Sequence, residues 1–118
     1  MRLASKALGA MSAALAMLAL PVCAAEDGAR MRGRVIVERD CGSCHAIGAT
    51  GDSPAVQAPE FRSLGERYDI ENLAESLAEG IFVGHPAMPA VAYPPDEVGQ
   101  VIAYMKSLQP SRPLARDR

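Results

Sequence analysis

The segment Cys41-Gly42-Ser43-Cys44-His45 constrains this 118-residue chain more than any other stretch. Two cysteines separated by two residues and followed at once by a histidine form the attachment sequence for c-type haem. Each thiol adds across one vinyl group, so that two thioethers hold one edge of the macrocycle. The adjacent imidazole then lies beneath the iron, where it can serve as an axial ligand. We therefore predict one covalently bound haem c with His45 as its proximal ligand.

Two cysteines at this spacing also occur in thioredoxin-like redox proteins and in zinc sites. A zinc site needs two more ligands at suitable spacing, and the chain offers only Cys23 and His85. The thioredoxin-like motif belongs with a βαβ pattern, whereas residues 30–40 have the pattern of a helix. Both observations favour haem attachment.

The first 25 residues have the layout of a secretory signal peptide. A short basic start precedes an uncharged apolar run over residues 7–20, and small residues then allow cleavage after Ala24 or Ala25. The apolar run is too short for a typical membrane-spanning helix. We expect residues 1–25 to be removed on export to the periplasm, which leaves one domain over residues 26–118.

Cys23 lies in a stretch, Leu20-Pro21-Val22-Cys23, that faintly resembles a lipoprotein cleavage site. Valine directly before the cysteine fits that signal poorly. We therefore expect Cys23 to be discarded with the leader rather than to carry a lipid anchor, and we expect no stable insertion into the membrane.

The charge balance bears on the partners of the exported chain. Removing Arg2 and Lys6 with the leader lowers the basic residues from 12 to 10 against 14 acids, which gives a net charge of about −4. This balance argues against nucleic acid or an anionic membrane as a partner. It favours a basic docking surface on any protein partner.

The pattern of the exported part predicts three helices, no strand, and loops rich in proline, glycine and alanine. Asp69 can cap the second helix and Gly80 can end it, while Pro95 suits the first turn of the third helix and Pro110 its end. The predicted helices cover roughly residues 29–40, 69–80 and 95–109, and the predicted loops cover residues 46–67 and 83–94.

The loop over residues 83–94 contains the candidate for the second axial ligand, Met88. An electron carrier needs strong ligands on both faces of the iron, and a thioether favours the ferrous state. Prolines on both sides restrict the backbone around Met88, whereas Met31 and Met105 lie on predicted helices, where methionine fills the core. Ligation by His85 and an open sixth position are the alternatives.

These features resemble a class I cytochrome c over essentially the whole of residues 26–118. The resemblance rests on the haem motif, the proline-bounded Met88, and the ending Ala103-Tyr104-Met105-Lys106-Ser107-Leu108 of the last helix. It implies an all-α fold in which three main helices wrap around one covalently attached haem, as in the small single-haem periplasmic cytochromes of bacteria.

The resemblance also implies that a small residue on the first helix meets an aromatic residue on the last helix. Gly33 and Tyr104 match those positions. Val37 stands where the family often has an aromatic residue, four before the first haem cysteine, so one stacking contact is missing.

Further site residues are implied by the resemblance alone. A proline carbonyl after the haem motif accepts a hydrogen bond from the proximal imidazole, and Pro59 matches that position. Such a bond fixes the tautomer of His45 and strengthens it as a ligand. Phe61 would pack on the haem. The candidate partners of the haem propionates are Arg62, Arg67 and Tyr68.

Together these inferences predict a monomeric electron carrier that is not an enzyme, because six-coordinate iron has no open position for a substrate. Its redox partners would dock weakly and transiently near the thioethers. Two alternatives stay open. A ligand-binding or sensor haem module with Met88 displaced would bind carbon monoxide rapidly when ferrous. An electron-transfer subunit of a dehydrogenase complex would be revealed by its mass in solution.

Overall fold

The computed structural model describes residues 20–81 and 87–111, with side chains from residue 23 onward. No strand occurs in these ranges, in agreement with the predicted all-α class. None of the helices they contain is long and apolar enough to cross a membrane. The α-helices are α1 (Leu20–Asp40), α2 (Leu73–Glu79) and α3 (Pro95–Leu108), and two short 3₁₀ helices, Phe61–Glu66 and Ile70–Asn72, lie between α1 and α2.

Helix α1 begins at Leu20, so the predicted start near residue 29 is wrong. The prediction followed the apolar spacing, but residues 23–27 contain alanines and a glutamate, which favour helix, and no strong breaker. Pro21 lies in the first turn, where a helix tolerates proline. The helix thus runs through the expected cleavage position. Most of the predicted signal peptide, residues 1–19, lies outside the described residues.

The start and end of the second helical segment follow the predicted signals. The Asp69 carboxylate accepts a hydrogen bond from the backbone N–H of Glu71 at 3.1 Å and caps the 3₁₀ turn that leads into α2. Gly80 ends α2 with φ of 89°, a conformation that glycine adopts without strain. The predicted loop over residues 46–67 is wrong at its end, since the 3₁₀ helix Phe61–Glu66 forms once its prolines are past.

The main contact of the fold is the crossing of α1 and α3. A Cβ atom on Gly33 would lie 1.9 Å from the backbone oxygen of Gln100 and 3.0 Å from Cβ of Tyr104. Only glycine allows the two helices to approach this closely. The Tyr104 hydroxyl donates to the Ile47 carbonyl at 2.7 Å, which ties α3 to the segment after the haem motif. The predicted meeting of Gly33 and Tyr104 is therefore present.

The hydrophobic core lies around this crossing, and Val37 at its centre is fully buried. Gln109, at the end of α3, joins the core to the first 3₁₀ helix. Its Oε1 accepts from the Gly65 N–H at 2.9 Å, and its Nε2 donates to the carbonyls of Phe61 and Met105 at 2.9 and 2.8 Å. The buried core residues are Ile36, Val37, Phe61, Leu64, Ile70, Leu77, Val98, Val101, Ile102, Tyr104 and Met105.

Candidate haem site

The haem motif continues the last turn of α1. The N–H of Cys41 donates to the Val37 carbonyl at 2.9 Å, and the N–H of His45 donates to the Cys41 carbonyl at 2.9 Å. This compact turn brings Cys41, Cys44 and His45 to the wall of one cavity. No disulfide joins Cys41, Cys44 and Cys23, and Cys23 lies exposed on α1.

The loop after the motif folds back onto it through backbone hydrogen bonds. The Ala55 N–H donates to the Cys44 carbonyl at 3.0 Å, and the Phe61 N–H donates to the Ala46 carbonyl at 3.0 Å. The Ser53 hydroxyl accepts from the Ala46 N–H at 2.9 Å. Because these bonds lie on either side of Pro59, they hold that residue beside the motif.

The orientation of His45 is set by Pro59, whose carbonyl oxygen lies 2.7 Å from Nδ1 of the imidazole. A carbonyl only accepts, so Nδ1 carries the proton and Nε2 is the nitrogen left to bind a metal. The hydrogen bond implied by the resemblance is therefore present. The Phe61 ring packs on the imidazole, with ring centroids 5.1 Å apart and a tilt of 47°. Phe61 thus supports the histidine and is not among the residues that line the cavity.

The cavity beside the motif has a volume of about 500 Å³. Cofactor and small-molecule sites typically measure about 300–1,000 Å³. Its wall is mostly apolar and is built from the motif, the loop that follows it, the end of α2 and the segment before α3. Its lining residues include Asp40, Cys41, Cys44, His45, Pro59, Leu77, Met88 and Tyr93.

Met88 lies half-buried in the wall of this cavity, so the fold brings it to the same space as His45. Met31 is 67% exposed on α1 and Met105 is buried in the core, and neither lines the cavity. His85, the alternative ligand, lies outside the described residues.

Sequence reasoning missed two polar residues of the cavity wall, Asp40 and Tyr93. The Tyr93 hydroxyl donates to the Asp40 carboxylate at 3.0 Å, and the Arg39 guanidinium binds the same carboxylate at 2.6 Å. The bonds from Arg39 and Tyr93 lower the pKa of Asp40 against the effect of burial. Burial, followed by the bond to Asp40, raises the pKa of Tyr93. The available signals were the position of Asp40 before the motif and an aromatic residue at the end of a proline-rich loop.

The predicted propionate partners occupy different positions. Arg62 pairs with Glu60 through Nη2 at 2.6 Å, while its Nη1 is buried without a hydrogen-bond partner among the described residues. A buried donor in this state is costly unless another group accepts its hydrogen bond. Arg62 is not among the residues that line the cavity. Arg67 is exposed, and Tyr68 lies at a different hollow beside Lys106.

The comparisons with known proteins agree with this geometry. The Cytochrome c family matches residues 31–109, which include the haem motif, Met88 and all of α3. The chain belongs to the cytochrome c family. It is 35% identical over 79 residues to Cytochrome c-552 of Bradyrhizobium diazoefficiens, an alignment that covers 66% of this chain and 73% of the relative. No solved structure matches the chain.

Membership confirms three predictions: the class I cytochrome c fold, one covalently bound haem c, and a role in electron transport. The side chains fit that cofactor, since two thiols, a histidine of fixed tautomer and an apolar cavity lie together. Burial raises the pKa of the Cys41 thiol to about 11.

Proposed function

We propose that this cytochrome c carries single electrons between redox proteins in the periplasm, with its iron held between His45 and Met88. The observation that carries this proposal is that these two side chains line one cavity with both motif cysteines. The haem supplies an iron that alternates between the ferric and ferrous states. The chain binds the haem, orients it and limits its contact with water.

The proposed roles follow from the chemistry of each side chain. Cys41 and Cys44 form the thioethers, and Nε2 of His45 binds the iron while Pro59 keeps the proton on Nδ1. The sulfur of Met88 is a soft ligand that favours ferrous iron, which raises the reduction potential relative to ligation by two imidazoles. With both axial positions filled, no site is left for a substrate, so we expect no enzymatic activity.

The ligation is tested with Met88→Ala and the matched control Met31→Ala. The ferric wild type should show the weak near-infrared band of a sulfur–iron bond, and Met88→Ala should lose this band and lower the reduction potential. Met31 is exposed on α1 and lines no part of the cavity, so its replacement should leave both unchanged. A wild type without the band would contradict ligation by Met88.

Rapid binding of carbon monoxide to the ferrous wild type would instead favour a ligand-binding or sensor module. Ligation by His85 would give a low-spin spectrum without the near-infrared band. The spectra of the wild type and its reaction with carbon monoxide therefore separate the three types of ligation.

We propose that partners dock transiently at the edge of the cavity. Val56, which is 98% exposed, lies between the wall residues Ala55 and Gln57, and Val91 in the same wall is 43% exposed. The acidic net charge favours partners with a basic surface around an apolar centre. Electron-transfer rates should therefore fall as ionic strength rises, because salt screens charged encounters. Rates that do not change with salt for every partner would contradict the electrostatic part of this proposal.

Export and monomeric state are further parts of the proposal. The haem-loaded protein from a periplasmic fraction should begin at Ala25 or Glu26, which intact mass spectrometry measures. Its mass in solution should be that of one chain. A haem-loaded protein that retains Met1 would contradict removal of the leader, and recovery only within a larger complex would favour the dehydrogenase subunit.

A further inference from the structure

Tyr93 holds the end of the Met88 segment, residues 87–94, to two helices at once. Its backbone N–H donates to the Leu77 carbonyl in α2 at 2.9 Å. Its hydroxyl donates to Oδ2 of Asp40, the last residue of α1, at 3.0 Å. The side chain also lines the cavity that Met88 lines. One residue therefore fixes this segment relative to the helix that carries the haem motif.

The acceptor of this hydrogen bond is itself held in place. Both carboxylate oxygens of Asp40 receive hydrogen bonds from Arg39 at 2.6 Å, and only 20% of the Asp40 side chain is exposed. A hydrogen bond to an ionised acceptor is stronger than a bond between neutral groups. The link from Tyr93 to α1 thus ends on a fixed and charged group.

Within the part of the chain that the structure describes, the segment between Met88 and Tyr93 has little backbone support. Its residues form no helix, and Pro89 has no N–H to donate. The Val91 N–H bonds only locally, to the Pro89 carbonyl at 3.1 Å. The position of Met88 relative to α1 must therefore depend on contacts at the ends of the segment.

We propose that Tyr93 is a positioning residue that keeps Met88 on the iron, acting through its hydrogen bond to Asp40. This inference rests on the proposed ligation of the iron by Met88. Without the hydroxyl, the segment moves away from α1 more often, and the axial position is open for a larger fraction of the time. The apparent affinity of an external ligand rises in proportion to that fraction.

The test is a titration of ferric holoprotein with imidazole, in which the loss of the near-infrared band measures imidazole binding. Tyr93→Phe should keep the band but bind imidazole about tenfold more tightly, the change expected for loss of one hydrogen bond to a charged group. Asp40→Ala should have a similar effect, and the double variant should bind no more tightly than either single variant. Asp40→Asn keeps an acceptor oxygen but loses the charge, so its imidazole affinity should lie between those of the wild type and Asp40→Ala.

Tyr104→Phe is the matched control. It removes a tyrosine hydroxyl that donates to a backbone carbonyl at 2.7 Å, but Tyr104 does not line the cavity. It should lower the free energy of unfolding without changing imidazole affinity. An equal rise in affinity for Tyr93→Phe and Tyr104→Phe would overturn the positioning role, because the effect would then follow global stability.

The two proposals fail in different ways. A wild type without the near-infrared band would overturn ligation by Met88 and the positioning role together. A wild type with the band, and a Tyr93→Phe variant whose imidazole affinity equals that of the wild type, would overturn the positioning role alone.

Discussion

Replacing Gly33 with alanine tests whether the close approach of α1 and α3 holds this fold together. The added methyl group would lie 1.9 Å from the backbone oxygen of Gln100, about 1.5 Å short of the 3.4 Å at which ordinary contacts begin. The obstacle is backbone, so the two helices must separate. Overpacking of this kind costs about 1–3 kcal/mol, and an obstacle that cannot rotate away places the cost near 3 kcal/mol.

Part of that cost is offset because alanine favours helix over glycine by about 1 kcal/mol. We therefore expect Gly33→Ala to lower the free energy of unfolding of the holoprotein by about 2 kcal/mol. The assay is denaturant unfolding followed by circular dichroism, with the haem absorbance as a second probe. Agreement between the two probes shows that the loss is global and is not confined to the haem site.

Gly99→Ala is the control, because Gly99 lies in α3 and a Cβ atom there meets nothing within 4 Å. The free energy of unfolding of Gly99→Ala should rise by about 0.5–1 kcal/mol, because alanine favours helix over glycine. The two substitutions are chemically identical, and we expect effects of opposite sign. A Gly33→Ala variant as stable as Gly99→Ala would refute the close crossing.

Three further predictions concern side chains that join separate parts of the chain. Gln109→Ala removes a side chain that bonds three backbone groups and should lower the free energy of unfolding by about 1–3 kcal/mol, measured by urea unfolding. Folding lowers the pKa of Asp40 from its ordinary value of 3.8. The ionised carboxylate therefore stabilises the folded protein fully above pH 3.8, and this stabilisation is lost as the pH falls through the pKa of the folded state. The stability difference between the wild type and Asp40→Asn should accordingly be largest at neutral pH and should shrink below about pH 4. The haem-free Cys41→Ala/Cys44→Ala variant should be poorly folded, and a native helical spectrum with cooperative melting would contradict this.

The sequence allowed the parts of the site with local signals to be predicted. The haem motif is contiguous, Gly80 and Pro95 mark helix ends, and these features need no knowledge of the fold. The pairing of Gly33 with Tyr104 and the role of Pro59 in holding His45 came only from the family resemblance. Ligation by Met88 stays a prediction until spectra are recorded.

The remaining features depend on contacts between distant positions. Tyr93 and Asp40 are 53 residues apart, and Gln109 reaches a 3₁₀ helix 44 to 48 residues earlier in the chain. No local pattern distinguishes such a tyrosine or glutamine from one on the surface. The predicted start of α1 was wrong for a local reason. Good helix formers extend the helix beyond the segment that packs in the core.

The haem is expected to join the end of α1 to the end of α2, which have little direct contact. Helix α2 packs against α3 but makes little contact with α1, and the cavity lies between the end of α1 and the end of α2. The chain has no tryptophan, two phenylalanines and three tyrosines, so few large side chains are available to fill that space. A domain of this size buries a modest share of its surface and is marginal without additional support. A large apolar cofactor fixed to the last turn of α1 supplies that support, because it would pack against Leu77 and Ile81, which line the cavity. Loss of the two attachment cysteines should therefore remove the fold as well as the redox centre.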